Sequence, residues 1–279
     1  MKKQSKAFKN LFMHRLSVLS FILFASAFLM VGCSTLQVES NWRDREITIN
    51  GKSDDWLGAL YFFEKENISA GFLNDKNYIY ICLVAENPLI RNQLMGQGFT
   101  LWFDPDGGKD KTLGIKFPIG RQESRPLMRG REGLPDIERF QEALEKSLAE
   151  LEILEPGKDE HRKMPVEEAE GIDIKLEVSS GLLVYELKVP LLADEQHPYA
   201  VGVEAGSSIG IGLEVPKIDL GAMRERVGGR QPGGMGMPGG GIGRGGGVGM
   251  PGGRRPQMPR GLKVWLAVQL ASGESSVSD

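Results

Sequence analysis

Between residues 46 and 85 short apolar runs alternate with turn formers. Residues 47–49, 59–63, 68–73 and 78–85 are apolar. They are separated by Asn50-Gly51, by Asp54-Asp55 and by Asn74-Asp75-Lys76-Asn77. Runs of this length, rich in β-branched and aromatic residues, predict successive antiparallel strands. Asn50-Gly51 suits a turn that needs positive φ, so the chain is expected to double back there. In residues 78–85 both faces are apolar: Tyr78, Tyr80, Cys82 and Val84 on one, Ile79, Ile81, Leu83 and Ala85 on the other. Such a strand must be covered on both sides. Trp56 is expected to plug one end of the core, with Asp54 and Asp55 in the loop beside it.

The same alternation resumes downstream. In 98–104 (GFTLWFD), Phe99, Leu101 and Phe103 oppose Thr100 and Trp102. Residues 112–118, 172–178, 182–189, 199–205, 208–215 and 263–271 read as further strands. Residues 86–97 read as a connection and 157–171 as a loose charged loop. One stretch changes period. Ile137, Phe140, Leu144, Leu148 and Leu151 recur at three and four residues, which predicts an amphipathic helix over 134–155. Pro135 suits its first turn and Pro156-Gly157 its end. This helix is the expected cover for the second face of 78–85. Residues 228–261 hold sixteen Gly and five Arg with no acid. Glycine at that density gains little from side-chain burial, so a disordered insertion before the last strand is expected. The fold class is therefore mainly β: an antiparallel, jelly-roll-like β-sandwich over 42–271 with one inserted helix and one Gly-rich insertion.

The first thirty-three residues follow a different logic. Lys2, Lys3, Lys6, Lys9 and Arg15 precede an uncharged apolar run, 16–31. That is the charged and apolar pattern of a secretory signal, too short for the ~20 residues of a membrane span. It ends in Leu29-Met30-Val31-Gly32-Cys33, which resembles the lipobox of bacterial lipoproteins, with Met30 where Leu is usual. The resemblance implies cleavage before Cys33 and lipidation of it. Ser34, in place of Asp, implies the outer membrane as the destination. Residues 34–41 are expected to be a polar tether and 272–279 a tail. The leader removes five basic residues and no acid, so the processed chain is more acidic than the net −3 of the whole. An acidic domain is a poor general binder of nucleic acid. With Cys33 lipidated, Cys82 has no disulfide partner and is expected to be a buried, inert thiol.

Several of these pieces occur together in a known family. Ile47, Ile49, Gly51, Asp55 and Trp56 form an I-x-I-x-G-x-x-x-D-W opening. Tyr78-Ile79-Tyr80-Ile81, the strand over 98–104, Y-E-L-K-V-P-L from Tyr185 to Leu191, and W-L-x-V-x-L from Trp265 to Leu270 follow in order. The pattern resembles the family 9 carbohydrate-binding module and its DOMON-like relatives, over about 42–271. The resemblance implies a non-catalytic sandwich that binds polysaccharide between exposed aromatic rings, often beside calcium. In the DOMON-like branch it implies a haem-holding redox domain.

The candidate chemistry is sparse. Asp104, Asp106 and Asp110 share a tight Gly turn after a strand and offer part of the six to eight oxygens of a calcium site; a solvated turn fits the same residues. Trp102 is the candidate sugar platform, since Leu101 and Phe103 claim the opposite face; a core position fits a Trp equally. Met95, His161 and His197 are candidates for the haem ligands of that branch, and no C-x-x-C-H accompanies them. No nucleophile elbow is present. The expectation is a binding protein, glycan-binding or a structural accessory of the envelope, and not an enzyme.

Overall fold

The computed structural model describes residues 35–120, 145–157, 161–216 and 261–273. Contacts divide the chain into Met1–Leu36 and Gln37–Asp279; the second unit is the sandwich. Its strands are β1 (Leu36–Glu39), β2 (Asn41–Trp42), β3 (Leu60–Phe63), β4 (Ile68–Asn74), β5 (Tyr78–Ala85), β6 (Thr100–Asp104) and β7 (Leu113–Lys116). They continue as β8 (Glu150–Leu154), β9 (Arg162–Pro165), β10 (Asp173–Ser179), β11 (Leu182–Pro190), β12 (Ser208–Glu214) and β13 (Lys263–Gln269). A helix, α1 (Pro88–Gln97), joins β5 to β6. A seven-stranded sheet has the order β1-β13-β12-β6-β7-β8-β9. A six-stranded sheet has the order β10-β11-β5-β4-β2, with β3 also on β4. The expected two-layered β class is the architecture found.

Alternation decides what lies between the sheets. Leu101 and Phe103 face inward from β6, Ile209, Ile211 and Leu213 from β12, and Ile79, Ile81 and Leu83 from β5; all are buried in one cluster. Tyr185 sits among them, fully buried, edge-on to Phe99 with ring centroids 5.1 Å apart. Its hydroxyl has no hydrogen-bond partner among the described residues. Burial pushes the phenol well above its ordinary pKa, so it stays protonated. An unsatisfied buried hydroxyl costs about 1–3 kcal/mol. Tyr185→Phe is therefore expected to leave stability unchanged or raise it by about 1 kcal/mol in urea unfolding. A clear loss would show that the hydroxyl has a partner.

The second face of β5 is covered, but not by a helix. Ile47, Trp56 and Ala59 pack on Leu73, Tyr80, Cys82, Val84 and Val184 as a second buried cluster outside the six-stranded sheet. Trp56 is completely buried there, in a short 3-10 turn, Asp54–Trp56. So Trp56 fills a core of its own and not one end of the main one. Cys82 is buried and free, and burial pushes its thiol pKa up.

Residues 47–49 are not a strand. The N–H groups of Asn50 and Gly51 donate to Glu186 Oε2 at 2.8 and 2.6 Å, and Thr48 N–H donates to Asp55 Oδ2 at 3.2 Å. Side chains satisfy this backbone, so it needs no ladder. Residues 199–205 are not a strand either: Val201, Gly202 and Val203 donate to Pro190 and Leu191 carbonyls across an irregular crossing. The first half of the helix expected over 134–155, residues 134–144, lies outside the described residues. Residues 145–149 are helical, but 150–154 form β8, paired with β7 and β9. Leu151 and Ile153 fit a two-residue period, and neighbouring strands claim it. Residues 162–165, expected as loop, form β9 beyond it. The expected tether over 34–41 is in sheet from Leu36 onward. Residues 86–97 contain α1, capped by Asn87, whose side chain accepts from Leu89 N–H, with Pro88 opening the first turn. The leader with Cys33, residues 228–260 of the Gly-rich insertion and the end of the tail lie outside the described residues.

Candidate functional site

The outward face of the seven-stranded sheet carries an aromatic row built on glycines. Register puts Trp265 of β13 opposite Gly212 of β12, Gly212 opposite Trp102 of β6, and Trp102 opposite Gly114 of β7. A Cβ on Gly212 would lie 2.8 Å from Trp265 Cζ2, and one on Gly114 would lie 2.6 Å from Trp102 Cζ3. Each indole therefore lies down across the strand next to it, in the space that strand's glycine leaves empty. The two Trp are two strands apart, roughly 9–10 Å at the usual strand spacing. That is about the length of a disaccharide.

The two rings differ in access. Trp265 is half-buried. Trp102 faces away from the main core, as the alternation in 98–104 requires, yet only 8 % of it is exposed. Lys111 is its roof, with Nζ 4.6 Å above the ring centroid. Trp102 Nε1 donates to Glu214 Oε2 at 2.9 Å, and Lys111 Nζ reaches the same oxygen at 2.5 Å. Ion pairs continue along the sheet: Lys116–Glu152 at 3.1 Å and Lys163–Glu150 at 2.7 Å. Lys111, Lys116 and Lys163 each meet a carboxylate, and Lys263 stands opposite Glu214, so the face holds polar hydrogen-bonding groups without a strong field of either sign.

Burial alone would raise the Glu214 pKa. The hydrogen bond and charge of Lys111, with the Trp102 donor and the charge of Lys263, outweigh it and hold the carboxyl below its ordinary value. A lowered carboxyl stabilises the native arrangement above the unfolded value of about 4.3 and loses that contribution as pH falls through the lowered one. Acid should thus release Lys111 and Trp102 together. The expected result is a change in tryptophan emission below pH about 4, absent from Glu214→Gln, with far-UV circular dichroism still native. An identical emission change in the variant would rule out Glu214 as its source.

The carboxylates of the adjacent turn do different work. Asp104 is buried; its Oδ1 accepts from Asp106 N–H at 3.1 Å and its Oδ2 from Asp110 N–H at 2.8 Å. Asp104 thus ties down its own loop, and Asp106 and Asp110 are exposed on it. Backbone donors, not oxygens, converge on this carboxyl, which is the reverse of what a cation requires. Among the described residues no three His, Cys, Asp or Glu side chains form a metal-ligand cluster. The loop's place is fixed by a further glycine. A Cβ on Gly210 would lie 2.2 Å from the Gly108 carbonyl oxygen, so the loop folds down onto β12 and brings Lys111 over Trp102.

The residues considered for haem do not meet. His161 Nδ1 lies 3.2 Å from Glu152 on the seven-stranded sheet. His197 bridges Asp194, at 2.9 Å, and the Tyr78 hydroxyl, at 3.2 Å, against the six-stranded sheet. Met95 packs against the inter-sheet core. Sequence reasoning also passed over Trp265 as a platform. Its signal was present: glycines at the outward positions of 208–214 and 113–116 are poor strand formers unless something occupies the space above them.

No family model matches the chain, and no curated protein matches it. Two solved structures of a family 9 carbohydrate-binding module from Caldicellulosiruptor kristjanssonii, one in complex with glucose and one with cellotriose, are similar to it. They cover 67 % and 68 % of this chain and 81 % and 80 % of their own, each with a TM-score of 0.35 and 10 % sequence identity.

Proposed function

We propose that this protein is a lipid-anchored envelope protein whose sandwich binds a neutral glycan and performs no chemistry on it. The observation that carries this reading is the Trp265–Gly212–Trp102–Gly114 row. Flat indole faces suit the apolar faces of pyranose rings, and hydroxyls need polar neighbours, here Glu214, Lys111 and Lys263. The balanced charges along the row favour an uncharged ligand over a polyanion. Trp265 is the accessible ring, and Lys111 is the group that a longer ligand would move to reach Trp102. A purely structural role would be expected to bury all four Trp; Trp56 and Trp102 are buried, whereas Trp42 and Trp265 are not. The anchor is assigned to Cys33 and the destination to the outer membrane, on the leader pattern and Ser34.

The test is a glycan array probed with the full detergent-solubilised chain beside Trp265→Ala. Binding to neutral oligosaccharides, lost in the variant and unaffected by EDTA, is the expected result. Equal signals from both proteins, or none from either, would end the reading.

A further inference from the structure

Accepting the Cys33 anchor of the proposed function as its premise, we propose that one edge of the sandwich is seated in the headgroup layer of the bilayer. The strip consists of Trp42, Tyr61 and Phe62. They are 37 %, 39 % and 61 % exposed and lie on β2 and β3, which pair with β4 on its side away from β5; Tyr61 and Phe62 point to opposite faces, so the strip wraps that edge. Trp42 is opposite Asn74, Tyr61 opposite Ala70 and Phe62 opposite Ser69. Five residues along a strand make the strip roughly 15 Å long. The Tyr61 hydroxyl donates to the Glu39 carbonyl at 3.2 Å, so the strip runs beside β1.

Chain length commits this strip to a lipid partner. The sheet begins at Leu36, so only Ser34 and Thr35 separate it from Cys33. Four residues lead from Cys33 to Gln37, at most ~14 Å of extended chain. The headgroup layer is itself several ångström deep. An acyl chain on Cys33 therefore keeps the start of β1 within ~14 Å of the hydrocarbon boundary, close enough for an edge of the sandwich to reach the headgroups. Trp and Tyr are the residues that favour this depth, with an apolar body and a polar edge. The strip is also held firmly. Asn74 is fully buried and ties the end of β4 to Ala271 through two hydrogen bonds of 2.9 Å, and the Trp42 ring lies over Gly273. Nearby Arg43 pairs with Asp75 and Arg45 with Asp44, and Glu39, Glu64, Lys65, Glu66 and Lys76 around the strip carry no basic excess. Contact should thus depend on apolar burial and little on anionic lipid. Trp265, on the strand next to β1, would then lie near the membrane surface, with Trp102 two strands further out.

The experiment uses the full chain, produced with its own leader in a bacterium and reconstituted into phosphatidylcholine vesicles. A fraction of the lipid carries a nitroxide near the acyl carbonyl, which quenches tryptophan at headgroup depth. Mass spectrometry of Cys33 is run on the same preparation. With Cys33 acylated, the expected result is quenching that is at least halved in Trp42→Phe and kept in Trp265→Phe. It should rise in Phe62→Trp and stay the same when phosphatidylglycerol is added. Acylated, vesicle-bound protein whose quenching is absent, or indifferent to Trp42→Phe and Phe62→Trp, would overturn the seated edge while leaving the anchor intact. An unmodified Cys33 would remove the anchor and this inference with it, whatever the glycan array shows.

Discussion

Glu186→Ala is expected to cost the native state about 3–5 kcal/mol, enough to leave a domain of ordinary stability close to unfolded. Glu186 is fully buried on the outward side of β11. Its carboxyl accepts Gly51 N–H at 2.6 Å, Asn50 N–H at 2.8 Å and Trp56 Nε1–H at 2.8 Å. Truncation leaves three donors buried without partners, each costing about 1–3 kcal/mol where it cannot relax to water. It also frees the 43–59 segment, the lid over Cys82 and Val84, so the second core should open with it. Urea unfolding followed by fluorescence reads the loss. Glu186→Gln keeps the shape but turns an amide N–H₂ toward one of the donors, so its loss should be smaller yet clear, about 1–3 kcal/mol. Trp56→Phe removes one donor and part of the buried area. In a double-mutant cycle with Glu186→Gln the two should be non-additive, because they share one hydrogen bond. A Glu186→Ala protein within 1 kcal/mol of the parent would show that the lid is held by packing alone.

That contact also explains two stretches that stood out in the sequence. The Ile47–Trp56 opening and the Tyr185–Leu191 strand are more than a hundred residues apart, yet they meet at Trp56 and Glu186. Both motifs were visible in one dimension. Their common cause was not, because a hydrogen bond across 130 positions leaves no periodic trace. Strands buried against the partner sheet, β4, β5, β6 and β11, were legible from alternation and turn residues. The failures occurred where local pattern was compatible with two outcomes. Ile47 and Ile49 alternate like a strand, but Glu186 takes the backbone donors beside them. Leu151 and Ile153 suit a helix or a strand, and β7 decided. Asn87-Pro88 is a readable helix start inside residues expected to be a plain connection. The candidate site was half legible. Alternation put Trp102 on the outward face; nothing in the sequence placed Lys111 above it, since that depends on a loop folding down at Gly210. Trp265 needed the opposite reading, in which the glycines of β12 and β7 mark room reserved for rings.

Gly212→Val should therefore abolish glycan binding as completely as Trp265→Ala, although it removes no atom of the binding surface. The strand backbone at Gly212 is one that Val adopts readily, and Val is the better strand former, so folding should be unharmed or slightly improved. The new Cβ would lie 2.8 Å from Trp265 Cζ2, closer than carbon atoms approach, and the ring must lift or rotate away. A sugar ring stacked on Trp265 would lose its flat support. Removal of a central aromatic anchor typically costs about 2 kcal/mol or more, hence at least a tenfold weaker Kd. Titration calorimetry with the oligosaccharide that the array selects measures both variants, and urea unfolding shows whether each remains folded. Trp102→Phe adds the third comparison. If the ligand reaches only Trp265, its affinity should change less than threefold; if it displaces Lys111 and spans both rings, affinity should fall toward that of Trp265→Ala. Native-like affinity in Gly212→Val, with the protein folded, would mean that the sugar does not rest on this row, and the glycan-binding face would have to be sought elsewhere on the sandwich.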